Sequence, residues 1–204
     1  MSRTVMLVDD EAPVREALTQ VLEGARLRVE AFASAEAFLA ALRPGKRGCL
    51  LLDVSLPGRS GPELQAALAA RGLELPIIFI TGRGDVATSV RTLKAGAFDF
   101  LEKPVSAKIL LERVSAALKL ERRQHTQAAT ARAARERIAR LTPREREIMA
   151  LVAAGHSSKD IARRMGISHR TVEVHRGHIM QKTGARNTLD LARLSSGLSD
   201  SETR

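Results

Sequence analysis

The strongest constraint on this chain is an alternation that fills its first 120 residues. Five short apolar runs, at 4–8, 27–32, 49–52, 76–80 and 98–101, are separated by stretches such as 14–22, 35–42 and 86–95 whose apolar residues recur every 3.6 positions. Strands that alternate with helices build a parallel sheet covered on both faces, so the pattern predicts an α/β, doubly wound, five-stranded parallel sheet. Ligands of such sheets gather at the carboxyl ends of the strands. The residues just past each run are therefore informative: Asp9, Asp10 and Glu11 after the first, Asp53 after the third, Thr81 after the fourth, and Lys103 with Pro104 after the fifth.

The predicted fold carries Asp9, Asp10 and Asp53 to one edge of the sheet. Three carboxylates in one pocket repel one another unless a cation is present, and hard oxygen donors suit Mg²⁺. Lys103 and Thr81 would add a cation and a hydroxyl donor. Such a pocket can stabilise a phosphoryl group on a carboxylate through charge and in-line positioning. Solvated acids at strand ends are the competing reading at this point.

The rest of the chain differs in charge. The net charge is +10, yet residues 1–120 hold 16 Lys and Arg against 14 Asp and Glu, whereas residues 121–204 hold 17 against 9. A basic C-terminal part points to a polyanionic partner, with nucleic acid ahead of membrane. Residues 121–140 are rich in Ala, Arg and Glu and lack Gly and Pro, which predicts a helical linker. From 141 onward, Thr142, Pro143 and Glu145 form a capping box with a proline start, on a helix expected to end at Gly155. Ser157 opens a short helix, SKDIARRM; Gly166, Ile167 and Ser168 join it to a third, which runs to about Lys182. Two helices joined by a three-residue turn containing Gly make a helix-turn-helix. On the third helix Val172 and Ile179 mark one face, and Arg170, Glu173, Val174, Gly177 and Gln181 the other. Helix-turn-helix geometry presents such a helix to the DNA major groove.

Other features exclude or weigh little. No apolar stretch approaches the roughly 18 residues of a membrane helix, and acids come too early for a signal peptide, so a cytoplasmic protein without membrane partners is expected. The single Cys49 excludes an internal disulfide and reads as core filling. Five Phe with no Trp or Tyr disfavour a binder that stacks single-stranded bases. His175 and His178 have a spacing that can bind metal, but no further acidic ligand is expected near them, which favours solvated or DNA-facing imidazoles. Arg83, Gly84 and Asp85 spell an adhesion tripeptide by chance.

VMLVDDE, LLLDVSLPGRSG, FITGRGD and KAGAFDFLEKP together resemble the receiver domain of a bacterial two-component response regulator. LTPREREIMALVAAGHSSKDIARRMGISHRTVEVHRGHIMQKTGAR resembles the DNA-binding domain of the NarL/FixJ (LuxR-type) family. The resemblance covers nearly the whole chain and is strongest to the FixJ-like subgroup. It implies a flavodoxin-like receiver at 1–120, a linker at 121–140 and a small all-α helix-turn-helix domain at 141–204. It further implies that Asp53 accepts a phosphoryl group from a sensor histidine kinase. Asp10, Asp53 and the carbonyl of Ser55 would hold Mg²⁺, with Asp9 helping through water. Thr81 would turn to the phosphoryl group, Phe100 would swing inward with it, Lys103 would pair with the phosphoryl oxygens, and Lys103-Pro104 would be cis.

In the basic domain the resemblance places base-edge contacts at Glu173, Val174 and Gly177. Lys159, Arg170, Thr171, His175 and Lys182 are then candidates for phosphate contacts. Related regulators dimerise, when phosphorylated, through the fourth helix and fifth strand, which nominates Val90, Lys94 and Asp99, with Lys94 and Asp99 pairing across the interface. The implied function is phosphorylation-controlled binding of promoter DNA as a homodimer, acting on RNA polymerase, and not an enzyme activity. An aspartyl-phosphate enzyme fits poorly, because Val54 and Ser55 follow Asp53 where such phosphatases have Asp-x-Asp. A phosphate sink or adaptor without specific DNA binding is the alternative. Two departures from the wider receiver pattern stand out: Phe100 replaces a common tyrosine, and Ser55 and Arg83 occupy positions that tune phosphoryl lifetime.

Overall fold

The structure, a computed structural model, describes residues 4–82 and 86–199, with the backbone alone at 86–89 and 196–199. Arg83 and the adhesion-like tripeptide lie outside the described residues. The chain divides into two compact units, Met1–Gln124 and His125–Arg204.

In the first unit, β1 (Thr4–Val8), β2 (Arg28–Phe32), β3 (Cys49–Asp53), β4 (Ile77–Thr81) and β5 (Asp99–Glu102) form one sheet in the order β2-β1-β3-β4-β5. Every neighbouring pair is parallel. The helices α1 (Ala12–Gly24), α2 (Ala35–Ala41), α3 (Gly61–Ala70), α4 (Val86–Lys94) and α5 (Ala107–Ala139) come after the strands in turn, and the residues of α5 past Gln124 belong to the second unit. The sequence pattern does not single out α3, whose Gly-Pro start and Ala-rich body carry only a weak stripe.

Burial explains the strand sequences. β1, β3 and β4 are buried at every residue, as unbroken apolar runs require, whereas the edge strands β2 and β5 are partly exposed. Alternate residues of each strand feed opposite layers. Val5, Leu7, Leu51, Ile78 and Ile80 pack with Leu18 and Leu22 of α1 and with Leu110, Val114 and Leu118 of α5. Met6, Val8, Leu50, Leu52 and Phe79 pack with Phe38 of α2 and with Leu64 and Leu68 of α3. Each such side chain contributes about 1.5–3 kcal/mol by leaving water, enough to override the helix and strand propensities of individual residues. Cys49 belongs to the first layer, fully buried, and burial pushes its thiol up to about 12.

Local chemistry sets the helix ends. Ser34 Oγ accepts from Ala37 N at 3.1 Å, and Ser60 forms a complete capping box with Glu63 ahead of Pro62. A Cβ at Gly61 would stand 2.3 Å from the carbonyl oxygen of Asp53, so any side chain here would push the start of α3 away from β3. Buried Gln65 of α3 donates from Nε2 to the carbonyls of Thr92 (3.3 Å), which also accepts from Ala97 N at 2.9 Å, and of Ala95 (3.2 Å), joining α3 to the C-terminal end of α4.

The second unit contains α6 (Pro143–Ala153), α7 (Ser158–Met165), α8 (His169–Thr183) and α9 (Thr188–Ser199). Their shared core comprises Leu141, Ile148, Met149, Val152, Ile161, Ala162, Val172, Ile179 and Leu191. Thr142 closes the expected capping box with Glu145, and α6 stops before Gly155, whose φ is +87°. Gly166 ends α7 in the left-handed region (φ +63°), a conformation that costs glycine nothing. Ser168 then caps α8 by accepting from Thr171 N at 3.0 Å. α7, this turn and α8 are the predicted helix-turn-helix.

Candidate functional site

The carboxyl edge of the sheet gathers the predicted acidic residues. Asp9 follows β1, Asp53 ends β3, and carboxylate oxygens of Asp9, Asp10 and Asp53 all lie within 4.8 Å of one another. Asp9 is fully buried, Asp53 is 4% exposed and Asp10 is open to solvent. Asp53 Oδ1 accepts from the backbone N–H of Ser55 at 3.1 Å, and Asp53 Oδ2 accepts from Lys103 Nζ at 2.8 Å. The same ammonium lies 3.0 Å from Asp9 Oδ2 and 2.9 Å from Glu11 Oε1. Lys103 is placed by its own backbone, which donates to the Thr81 carbonyl at 2.7 Å, and by the cis peptide bond to Pro104.

One ammonium thus serves three carboxylates. Burial alone would lower the Lys103 ammonium, but its contacts with Asp53, Glu11 and Asp9 outweigh it and hold it above the ordinary lysine range. Burial has the last word at Asp9, whose carboxyl is pushed up despite its contacts with Lys103 and the Glu11 N–H. Asp9 Oδ2 is buried and has the Lys103 ammonium at 3.0 Å, off the ideal hydrogen-bonding angle, as its near partner. A buried oxygen beside two further carboxylates is a donor set that fits a hard dication such as Mg²⁺. Asp9, Asp10, Asp53 and the Ser55 carbonyl are the groups that could hold it.

Thr81 and Phe100 are not engaged with the acids. The buried Thr81 hydroxyl donates to the carbonyl of Gly82 at 3.2 Å, and Phe100 on β5 is exposed. Glu11 is the participant that the sequence pattern leaves without a role. It precedes α1 as its N-cap residue yet makes no side-chain cap bond, because its carboxylate reaches across to Lys103. Its place beside Asp9 and Asp10 in the sequence is the one signal that points to it.

On the neighbouring face Val90, Leu93 and Lys94 of α4 are exposed. Asp99, the expected partner of Lys94 of another copy, pairs with Arg113 of the same unit at 3.2 Å.

In the second unit Arg170, Thr171, Glu173, Val174, Gly177 and Gln181 are exposed on α8, and Val174 is 51% exposed, while Val172 and Ile179 are fully buried. Lys159 on α7 is exposed as well. Lys182, a candidate for a phosphate contact, donates from its ammonium to both carboxylate oxygens of buried Glu145, at 2.8 and 2.7 Å. Lys182, with the Thr142 N–H, holds the Glu145 carboxyl down at about 2. His175 is half-buried, turned inward from the groove-facing set. Glu145 also corrects the expectation that no acidic ligand lies near the histidines: ligand atoms of Glu145, His175 and His178 fall within 4.8 Å of one another.

Comparison with known proteins covers both units. Residues 5–115 match the response regulator receiver domain, and residues 139–195 match the bacterial regulatory proteins of the luxR family. The transcriptional regulatory protein TdiR of Thauera aromatica is 46% identical over 92% of this chain and 83% of its own length. The transcriptional regulatory protein FixJ of Azorhizobium caulinodans is 41% identical over 95% of this chain and 92% of its own. Among solved structures, the response regulator StyR covers 96% of this chain and 99% of its own at 40% identity, with a TM-score of 0.87. Full-length FixJ from B. japonicum covers 98% and 99% at 37% identity, with a TM-score of 0.62. The acidic edge, the helix-turn-helix and these matches across both units lead to one conclusion: the chain belongs to the NarL/FixJ family of DNA-binding response regulators, which join a receiver domain to a LuxR-type helix-turn-helix domain.

Proposed function

We propose that Asp53 takes a phosphoryl group from a sensor histidine kinase with Mg²⁺, and that the modified receiver thereby changes self-association or domain docking and with it promoter binding and transcription. The observation that carries the reading is the pocket itself, with Lys103 Nζ 2.8 Å from Asp53 Oδ2 and two further carboxylates alongside. The Ser55 N–H and Lys103 fix the Asp53 carboxylate so that one oxygen meets phosphorus in line with the departing imidazole. As the phosphorus–oxygen bond forms, the phosphorus–nitrogen bond breaks and its electron pair stays on the kinase histidine. Bound Mg²⁺ would supply neutralisation of the charge that collects on the phosphoryl oxygens.

Lys103 then exchanges a carboxylate oxygen for a phosphoryl oxygen. The Thr81 hydroxyl leaves the Gly82 carbonyl for another phosphoryl oxygen, and exposed Phe100 moves into the space vacated. Val90 and Lys94 on α4 would form the dimer contact, with packing of Val90 mattering most because exposed ion pairs contribute only about 0.2–1 kcal/mol. On DNA, Glu173, Val174 and Gly177 of α8 would read base edges, while Lys159, Arg170 and Thr171 would contact phosphates. RNA polymerase is the partner at the promoter.

Phosphodonor labelling with borohydride trapping tests the reading. Label should map to Asp53 and vanish in Asp53→Asn and under excess chelator; undiminished labelling in either case would sink it. A promoter duplex that binds no better than random DNA at several salt concentrations would remove the transcriptional half.

A further inference from the structure

Three side chains of the second unit meet between the first turn of α6 and the middle of α8. Glu145 comes from the first turn of α6, and His175 and His178 sit at i and i+3 on α8, so the two imidazoles share one side of that helix. Each of the three offers one ligand atom, all within 4.8 Å of one another, and His178 Nδ1 stands 4.0 Å from Glu145 Oε1. A second observation is independent of that clustering: His175 Nδ1 is buried and makes no hydrogen bond. Buried polar atoms are nearly always satisfied, so a buried nitrogen without a hydrogen bond, on an imidazole that lies beside an ionised carboxylate, is a group that a bound metal ion would satisfy.

We propose that Glu145, His175 and His178 bind a divalent transition cation of the Zn²⁺ class, in competition with the Lys182 ammonium for the Glu145 carboxylate. The donor set selects the class. Two imidazole nitrogens and a carboxylate suit Zn²⁺ and its neighbours, whereas Mg²⁺ and Ca²⁺ require oxygen. Three protein ligands leave the fourth tetrahedral position to water. Ligand atoms around Zn²⁺ stand about 3.4 Å apart, so the present spread closes with small side-chain rotations. His178, whose side chain is 56% exposed, has room for them.

Lys182 is the resident competitor. Its side chain is half-buried, on a flexible stem, and can withdraw to solvent when a dication takes its place. The exchange swaps a +1 charge for +2 beside one carboxylate, ties α6 to α8 through direct bonds, and releases an ammonium on the basic domain.

The test uses the full chain with excess Mg²⁺, which occupies the acidic edge of the receiver, and Co²⁺ as the probe. Co²⁺ absorbs strongly in the visible only in four- or five-coordinate sites, and not as the six-coordinate ion that oxygen pockets hold. The wild type should develop a visible band that Zn²⁺ then bleaches. His178→Asn should weaken binding by at least about tenfold. Lys182→Gln should tighten it, because the competitor is gone. A wild type without the band, or a His178→Asn variant that titrates like the wild type, would overturn the site. Weaker binding in a folded Lys182→Gln variant would overturn the competition. Should that variant fail to fold, His178→Asn, changed at an exposed position, decides the matter alone.

Discussion

Gly61→Ala adds one methyl group where the receiver has no room for it. The new Cβ would stand 2.3 Å from the carbonyl oxygen of Asp53, 2.9 Å from Cε1 of Phe79 and 3.1 Å from Cα of Val54. Ordinary carbon–oxygen contacts begin at about 3.3 Å, so the end of β3 and the first turn of α3 must part by about 1 Å. Little there can yield: Val54 N donates to the Ile80 carbonyl at 3.0 Å, and Phe79 is fully buried. Overpacking of this kind costs about 1–3 kcal/mol, while the helix gains less than about 1 kcal/mol from alanine at its first position. The expected net loss is about 1–2 kcal/mol. Since the displaced carbonyl belongs to Asp53, its carboxylate shifts against Lys103, and a 1 Å misplacement of reacting groups can cost about 10²-fold in rate. Hydrogen exchange of peptides spanning β3, with phosphodonor labelling rates, reads both effects. Gly177→Ala on α8 is the matched control: nothing lies within 4 Å of its Cβ, so α8 should gain about 1 kcal/mol. A Gly61→Ala protein with wild-type exchange in β3 and wild-type labelling would refute the steric reasoning.

Three further expectations can be checked by melting curves. Burial raises the Asp9 carboxyl above 3.8, so the folded receiver binds that proton more tightly than the unfolded chain and loses stability as pH rises through this window. Asp9→Asn should therefore raise the receiver's midpoint at neutral pH without divalent cations and shrink any gain from added Mg²⁺; a lowered midpoint refutes this. Glu145 is depressed from 4.5 to about 2, so its contribution is complete above pH 4.5 and lost as pH falls toward 2; Lys182→Gln should flatten that acid dependence in the second unit. Arg26 holds φ +60° in the turn between α1 and β2, so Arg26→Gly should stabilise the first unit by up to about 1 kcal/mol, readable as a higher urea midpoint.

The sheet was legible because buried parallel strands need unbroken apolar runs, and each run ends on the residue that the fold presents to ligands. Its boundaries moved by a residue: Asp53 and Thr81 prove to be the last residues of β3 and β4. The helix caps of the second unit were legible for a similar reason, since Thr142, Ser157 and Ser168 act on groups three residues away. What sequence could not supply was pairing across long separations. Glu11 with Lys103 spans 92 positions, and Glu145 with Lys182 spans 37. Lys103 was legible as part of the acidic pocket and Glu145 as part of its capping box, but only folding brought Glu11 to the one and Lys182 to the other. Glu145 pairs with Lys182, a candidate DNA contact, and Arg113 with Asp99, a candidate dimer contact.

The two bonds from Gln65 give α4 a fixed end. They hold the carbonyls of Thr92 and Ala95, at the C-terminal end of the helix, while the helix begins nine residues earlier at Val86. A rod pinned at one end pivots instead of sliding. At 1.5 Å per residue α4 is about 13 Å long, so a tilt of about 10° carries its first turn about 2 Å and its last turn almost nowhere. The lever's far end is the first turn of α4, which begins five residues along the chain from Thr81, where β4 ends. Gln65→Met keeps the volume and removes both donors; spin labels at the two ends of α4 should then report comparable displacements where the native receiver gives unequal ones.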